Sequence, residues 1–283
     1  MAPPSFQDIP KAASDTLNKE FYHSAPVNLE VKSRSKDGVQ FIAKGKSEPS
    51  GNVNGNIEAK VLNKLHGVVL TQSWNTSNAI ELKVEVEDFV GKGLKLEGST
   101  QFFPNSLKKA AKLNLSLRQP GFHGKALVDI LNGPSFFGDV VVGRNGVLAG
   151  AEVGYDFQVG RILKYSLGTG YIGRDYSASV IANNKLSSFG VSYSHRISER
   201  VEVAAKSQWD TKTSNEPQIE FGGKYKLDAG TSLKGKVSSV GTVALSLNHL
   251  LRPGVQFGFG VQVNTKSLNE PVHKAGLSLT LDL

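Results

Sequence analysis

From Val27 to the last residue, apolar and polar side chains alternate in one short run after another, with turn residues between runs at a spacing of roughly 10 to 14 residues. Nothing else in the chain restricts the fold as far. A period of two belongs to an extended strand with two unlike faces, and no second helical period interrupts it after the first two dozen residues. About nineteen runs fit the template. Asp37-Gly38, Asn132-Gly133, Asn145-Gly146 and Pro253-Gly254 mark the clearest turns between them.

The alternation also sorts residues by face. In the run 27 to 34, Val27, Leu29 and Val31 share one face, and Asn28, Glu30, Lys32 and Arg34 share the other. Ile80, Leu82, Val84 and Val86 oppose Glu81, Lys83 and Glu85, and Leu113, Leu115 and Leu117 oppose Lys112, Asn114, Ser116 and Arg118. The last run sets Ala275, Leu277, Leu279 and Leu281 against Lys274, Ser278 and Thr280.

A soluble sandwich or a lipocalin-like barrel alternates in the same way, so the period alone leaves open which solvent each face meets. Strand number decides it. A closed sheet of this many strands encloses a lumen too wide for side chains to fill, so an apolar inner face would line a wet cavity. The stable arrangement turns the apolar face outward to lipid and the polar face inward to water. Run lengths of about ten residues suit a tilted strand crossing the hydrocarbon. Closure is required, because an open sheet edge in lipid leaves backbone donors and acceptors unpaired. The expected fold is therefore all-β, a transmembrane β-barrel of about 19 strands.

Other classes lose ground on composition. Nowhere do about 18 consecutive apolar residues occur, which excludes a helical membrane span. The start, Met1 to Asp8, lacks both a secretory signal and an Arg-rich transit pattern, so the chain is expected to be targeted in its full form. With no cysteine there are no disulfides, thiolate nucleophiles or Cys-based metal sites. A net charge of +8 and a pI near 9.4 would suit a polyanion. The basic residues, however, recur singly along the chain, without a basic helix or the aromatic platform of RNA binders, so nucleic acid is not expected as a specific partner.

Residues 1–25 read as a separate unit, an amphipathic helix and linker ahead of the barrel at 26–283. Asp8 is placed to cap the helix, and Pro10 near its start needs no amide donor. Ile9, Ala13 and Leu17 then fall on one face at i, i+4 spacing, while Lys11, Asp15 and Lys19 form a charged stripe.

The stretch Asp8 to Lys19, the segment Leu70 to Thr76 (LTQSWNT), Gly93-Leu94-Lys95, and Leu250 to Gly254 followed by Val272-His273-Lys274 together resemble the mitochondrial outer-membrane porins, or voltage-dependent anion channels, particularly their fungal branch. The likeness covers essentially the whole chain. It implies a barrel of 19 strands, a count that is the family's own odd-numbered exception among membrane barrels and so no independent derivation. It further implies a helix folded inside the lumen, passage of ATP, ADP and other metabolites, voltage-dependent conductance, and phospholipid scrambling. No cofactor or metal is implied. Membrane lipids are expected partners and a homo-oligomer is left open.

By the alternation, the lumen face carries Lys32, Arg34, Lys44, Lys46, Lys60, Lys83, Lys95, Lys112, Arg118, Lys125, Lys206, Lys224, Lys226, Lys234 and Lys236. Fewer acids, among them Glu30, Glu58, Glu81, Glu85, Glu97, Glu152, Glu202 and Glu220, face the same way. A cationic excess favours anions, and a Debye length of roughly 8 Å keeps the bias mild in a wide pore. The resemblance places nucleotide contacts at Lys11 and Lys19; on spacing alone, the same lysines equally suit a solvated helix face. The Ile9, Ala13 and Leu17 face is expected to dock on apolar wall residues, so that tethering Ala13 to the wall should alter the voltage response.

Two positions depart from the family pattern. Gln72 stands where many animal members carry a lipid-facing Glu, which puts functions tied to that acid, such as kinase docking, in doubt. The glycine-rich hinge of animal members is missing from Phe21 to Pro26, so helix mobility does not follow from the resemblance. Several motifs fail on context. Gly168-Thr169-Gly170-Tyr171-Ile172-Gly173 matches a dinucleotide fingerprint, and Gly230 to Val237 nearly spells a phosphate loop, yet neither is followed by a helix. The histidines at 23, 66, 123, 195, 249 and 273 show no metal-ligand spacing, and no serine sits in a nucleophile elbow. The reading is a non-enzymatic, weakly anion-selective metabolite channel of the mitochondrial outer membrane. A related protein-import pore, or a soluble β-rich binding protein, is the alternative.

Overall fold

The alternating runs become strands of 8 to 12 residues, each long enough to cross a bilayer at a tilt. The computed structural model describes residues 2–63, 67–89, 91–131, 133–213 and 216–283. The first strands are β1 (Val27–Arg34), β2 (Val39–Ser47), β3 (Val53–Asn63), β4 (Val68–Asn75), β5 (Ile80–Glu87) and β6 (Leu94–Phe103). There follow β7 (Lys108–Gln119), β8 (Phe122–Asp129), β9 (Ser135–Arg144), β10 (Val147–Asp156), β11 (Arg161–Ile172), β12 (Tyr176–Asn183) and β13 (Ser188–Arg196). The remainder are β14 (Val201–Asp210), β15 (Gln218–Lys226), β16 (Thr231–Ser238), β17 (Thr242–Arg252), β18 (Val255–Asn264) and β19 (Lys274–Asp282). One sheet of 19 strands contains them all.

Each strand pairs antiparallel with its neighbours in sequence, and β1 closes the sheet by pairing parallel with β19, Val27 opposite Leu277 and Lys32 opposite Asp282. An odd number of up-and-down strands leaves first and last running the same way, so closure must be parallel. Every backbone row then has a partner, as lipid requires. The register keeps like with like. Thr71, Lys83 and Ser99 form one inward row, and Leu70, Val84 and Gly98 one outward row.

Turn chemistry follows the residues. Asn145 and Gly146 both take positive φ, 54° and 86°, and join Arg144 to Val147 as a two-residue hairpin. Gly38, Gly133 and Gly254 also have positive φ, whereas Asn132 lies outside the described residues. The lipid-side apolar residues stay open to the surroundings, as in Leu245 at 62%, Phe221 at 59% and Trp74 at 57% exposure. Among the described residues no helix is long and apolar enough to span a membrane.

The buried core lies between the N-terminal segment and the inner wall. Phe6 and Ile9 pack with Val141, Leu148 and Ile181, and Ala13 and Leu17 pack with Ala204. The helix α1 covers only Lys11–Asn18, with a 3-10 turn on each side, Phe6–Asp8 and Tyr22–Ser24. Asp8 does not cap it. Pro10 occupies the cap position without a side-chain bond, while the Asp8 carboxylate accepts from Ser5 Oγ at 2.6 Å and pairs with Lys11 at 3.3 Å. The sequence reading started the helix too early because Asp8 suits a cap by type; here a nearer hydroxyl and an ammonium engage it.

Candidate functional site

Inside the barrel, α1 lies against β13 to β16, the turn Phe6–Asp8 against β9 and β10, and the turn Tyr22–Ser24 against β18 and β19. Its approach is close because the wall beneath it lacks side chains at the contact points. A Cβ on Gly168 would stand 3.0 Å from the Phe6 ring, one on Gly170 2.9 Å from Ile9 Cγ2, and one on Gly222 2.9 Å from Leu17 Cδ2. Gly258, Gly260 and Gly276 make the same room for the backbone and ring around Tyr22. Ile9, Ala13 and Leu17 are 3%, 2% and 0% exposed, so the face expected to dock lies on the wall. The failed dinucleotide motif is part of this floor, its first five residues at the end of β11 and Gly173 just past it. The near phosphate loop ends inside β16, likewise a strand.

Polar side chains of the wall hold the segment along its length. His123 Nδ1 donates to the Pro3 carbonyl at 3.1 Å, with Ser116 Oγ 3.2 Å from its other ring nitrogen. The Phe6 amide donates to Asp139 at 3.4 Å, and Tyr22 donates its hydroxyl proton to Asn248 Oδ1 at 2.6 Å. At the end of α1, Glu20 pairs with Lys224 at 3.4 Å and Lys234 at 3.2 Å, and its carbonyl accepts from Ser246 Oγ. Burial opposes the Glu20 charge, but the two ammonium groups outweigh it and hold its carboxyl below the ordinary carboxylate range. His23 is pushed the other way in charge: burial first, then Lys236 and Lys274, lowers its pKa and favours the neutral ring.

No hydrogen bond or ion pair among the described residues joins the N-terminal segment to β1 to β7, which leaves that arc of wall as the free side of the pore. Here the charges fall into two groups. Glu30 pairs with Lys32 at 3.6 Å and Lys44 at 3.5 Å. Lys83 bridges Glu85 at 2.7 Å and Glu97 at 3.1 Å, and Glu85 also takes Lys95 at 2.8 Å. Arg34, Lys46, Lys60 and Lys112 face the same lumen by register, and no described acid lies within 4.0 Å of them. Lys206 and Lys226 are likewise inward and have no ion pair among the described residues.

The expected lumen residues thus face inward in strand register, but they do not form one class. Lys11 is 59% exposed and tied to Asp8, and Lys19 is exposed at the end of α1, beside a cleft of about 450 Å³ that Arg174, Arg196 and Lys224 also line. Arg118 leans on His123, its Nε 3.5 Å from the ring. Lys236 lies 5.1 Å from the Phe21 ring centre and reaches Asn18 at 3.3 Å. Lys234 differs from the other lumen lysines: its side chain is 4% exposed, packed under α1 at the inner edge of the same cleft. His66 lies outside the described residues. Gln72 is exposed on the lipid face with Leu70 and Trp74, as the period places it.

Glu20, His123, Ser246 and Asn248 were not singled out from the sequence. A signal was present in the glycines recurring at alternate inward positions, Gly168 and Gly170, Gly258 and Gly260, which mark where another backbone lies on the wall.

Comparison with known proteins follows the same architecture. The family described as "Eukaryotic porin" matches residues 2–276. The "Mitochondrial outer membrane protein porin" of Neurospora crassa is 43% identical over 282 residues, covering 100% of both chains. The "Non-selective voltage-gated ion channel 1" of Saccharomyces cerevisiae is 36% identical over 285 residues, again covering 100% of both. Among solved structures, a mutant of the Rh. blastica porin aligns with a TM-score of 0.50 at 9% identity, covering 84% of this chain and 89% of that one, a likeness of fold alone.

Proposed function

The chain belongs to the eukaryotic porin family, and from that premise we propose that it carries ATP, ADP and other small anionic metabolites through its lumen with a weak preference for anions. It is a voltage-gated channel of the mitochondrial outer membrane, and its family is one of channels rather than enzymes. The observation that carries the finer reading is the free arc of wall, where Arg34, Lys46, Lys60 and Lys112 stand without an acid within 4.0 Å among the described residues. Paired charges nearly cancel at a distance, so the unpaired ones set the sign of the field that a permeating ion meets. Water fills the rest of the bore and screens that field, which makes the preference a bias and leaves cations able to pass.

Lys11 and Lys19 point their ammonium groups to the same water from the opposite side, and a nucleotide passing between helix and free wall meets cations on both flanks. Their contact with phosphate is transient, since neither is enclosed. The Ile9, Ala13 and Leu17 face holds α1 in the docked, open arrangement, and its release is the gating step.

Reconstitution into a planar bilayer under a salt gradient tests the reading. The expected record is stepwise conductance that falls at high voltage of either sign, with a reversal potential on the anion side. Absence of conductance, or firm cation selectivity in the open state, overturns it.

A further inference from the structure

Among the described lysines of the inner wall, Lys234 is the most deeply covered, its side chain 4% exposed beneath the end of α1. A buried ammonium is costly unless each of its three protons meets an acceptor. Here three oxygens lie in range, all from the N-terminal segment: the Asp15 carbonyl at 3.2 Å, the Lys19 carbonyl at 3.0 Å and the Glu20 carboxylate at 3.2 Å. Both carbonyls lie at the end of α1, where the dipole is negative; the Asp15 carbonyl also accepts from the Lys19 amide at 3.2 Å, whereas the Lys19 carbonyl lies past the last helical donor. Helix termini are ordinarily capped from their own chain neighbourhood. In this fold the cap comes from β16, over 200 residues away.

We propose that Lys234 is the positioning residue of the channel, a latch that seats α1 by capping its C-terminal carbonyls from the wall, and that it takes no part in attracting anions while the helix is docked. This rests on the channel reading given above. Glu20 makes the latch all-or-none. It holds a positive φ of 63°, which a residue with a side chain adopts at a cost, and it is kept there by Ser246 on its carbonyl and by Lys224 and Lys234 on its carboxylate. Losing the Lys234 contacts removes three bonds to the helix end together and frees the Glu20 backbone to relax. Undocking then exposes Lys224, Lys234 and Glu20 to the pore, two cations and one acid, so the charge of the lumen changes with the position of the helix.

The chain has no cysteine, so a single introduced thiol reports helix position cleanly. Ala13→Cys places it at a site that is 2% exposed in the docked state. In bilayers, the rate of its modification by a charged, water-soluble thiol reagent is expected to rise tenfold or more when Lys234→Met is added, and to return towards the parent rate with Lys234→Arg, whose guanidinium still reaches carbonyl oxygens. Lys236→Met, which removes a neighbouring inward cation that meets the Asn18 side chain, Glu220 and the Phe21 ring but none of the carbonyls at the helix end, is expected to change the rate less than twofold. Protease resistance in the bilayer establishes that each barrel has closed; should Lys234→Met fail to assemble, Ser246→Ala weakens the same latch and is expected to raise the rate in the same direction. Equal labelling in the parent and in the assembled Lys234 or Ser246 variant overturns the latch. Because labelling needs no current, the channel reading and the latch can fail separately.

Discussion

Leu17 has no exposed surface, and its Cδ2 lies 2.9 Å from where a Cβ on Gly222 would stand. Replacing a leucine so enclosed by alanine costs about 2–5 kcal/mol through lost contacts and the cavity left behind. Leu17→Ala is therefore expected to undock α1 in a measurable fraction of channels while the strands keep their pairing, seen as loss of the helix signal contacts by NMR in micelles without loss of strand signals. Unchanged helix contacts would show that the seat is held by its polar bonds alone. Acid acts on the same seat. His23 has a buried Nδ1 with no hydrogen-bond partner among the described residues, and its folded pKa lies below the ordinary 6.5. The undocked ring takes up a proton first, so docking loses stability as pH falls from about 6.5 towards the lowered folded value. Burial is the main cause, and Lys236 and Lys274, which face the ring, act in the same direction. Glu20, also lowered, from 4.5, adds a second loss at more acid pH. His23→Gln should remove the first step and keep the second. A thiol at position 13 that labels at the same rate at pH 7.5 and 5.5 would contradict the assignment.

At the scale of elements, strands and helix were legible to different degrees for a physical reason. A strand between lipid and water has two unlike solvents, so Ile80 to Val86 or Leu113 to Leu117 declare their outward face in every second residue. The helix meets water on one side and wall on the other, and Ile9, Ala13 and Leu17 declare that as well. Its ends were not legible. Asp8 has the right type for a cap but is taken by Ser5 and Lys11, and the far end is completed by Lys234 from a strand with no local signature. The same limit applies to the pore lining, since register predicts which lysines face inward but not which one the helix covers. Two expectations belong here. Joining Ala13→Cys to Ala204→Cys, whose parent residues share a buried cluster, is expected to abolish or strongly shift the voltage response under oxidising conditions and restore it on reduction; an unaltered response would remove the helix as sole gate. Leu245→Lys, outward and 62% exposed near the middle of β17, is expected to cost about 2–4 kcal/mol of barrel stability in bilayers, whereas Asn114→Lys on the inward face of β7 should cost little. Equal losses in a bilayer denaturation series would mean the apolar face does not meet lipid.

For the whole molecule, the net charge of +8 is less informative than where cations escape pairing. The helix and its wall partners occupy one side of the bore, and the remaining arc carries both a paired network around Glu85 and Arg34, Lys46, Lys60 and Lys112, which have no ion pair within 4.0 Å among the described residues. On the proposed reading, selectivity arises from a diffuse field along one wall. A field of that kind is sensitive to salt in a way that a tight binding site is not. The screening length falls from about 10 Å at 0.1 M to about 3 Å at 1 M, so an ion in mid-bore ceases to sense the wall. The anion preference, measured as a reversal potential across a fixed salt ratio, should decline steadily as both sides are raised over that range. Lys46→Glu with Lys60→Glu changes the free wall by four charge units and is expected to reverse the sign of the preference at low salt while leaving conductance at high salt close to the parent value, because the bore is no narrower. If the double variant kept its anion preference, the field would have to originate on the helix side, from Lys11 and Lys19, and the same measurement on Lys11→Glu with Lys19→Glu would locate it there.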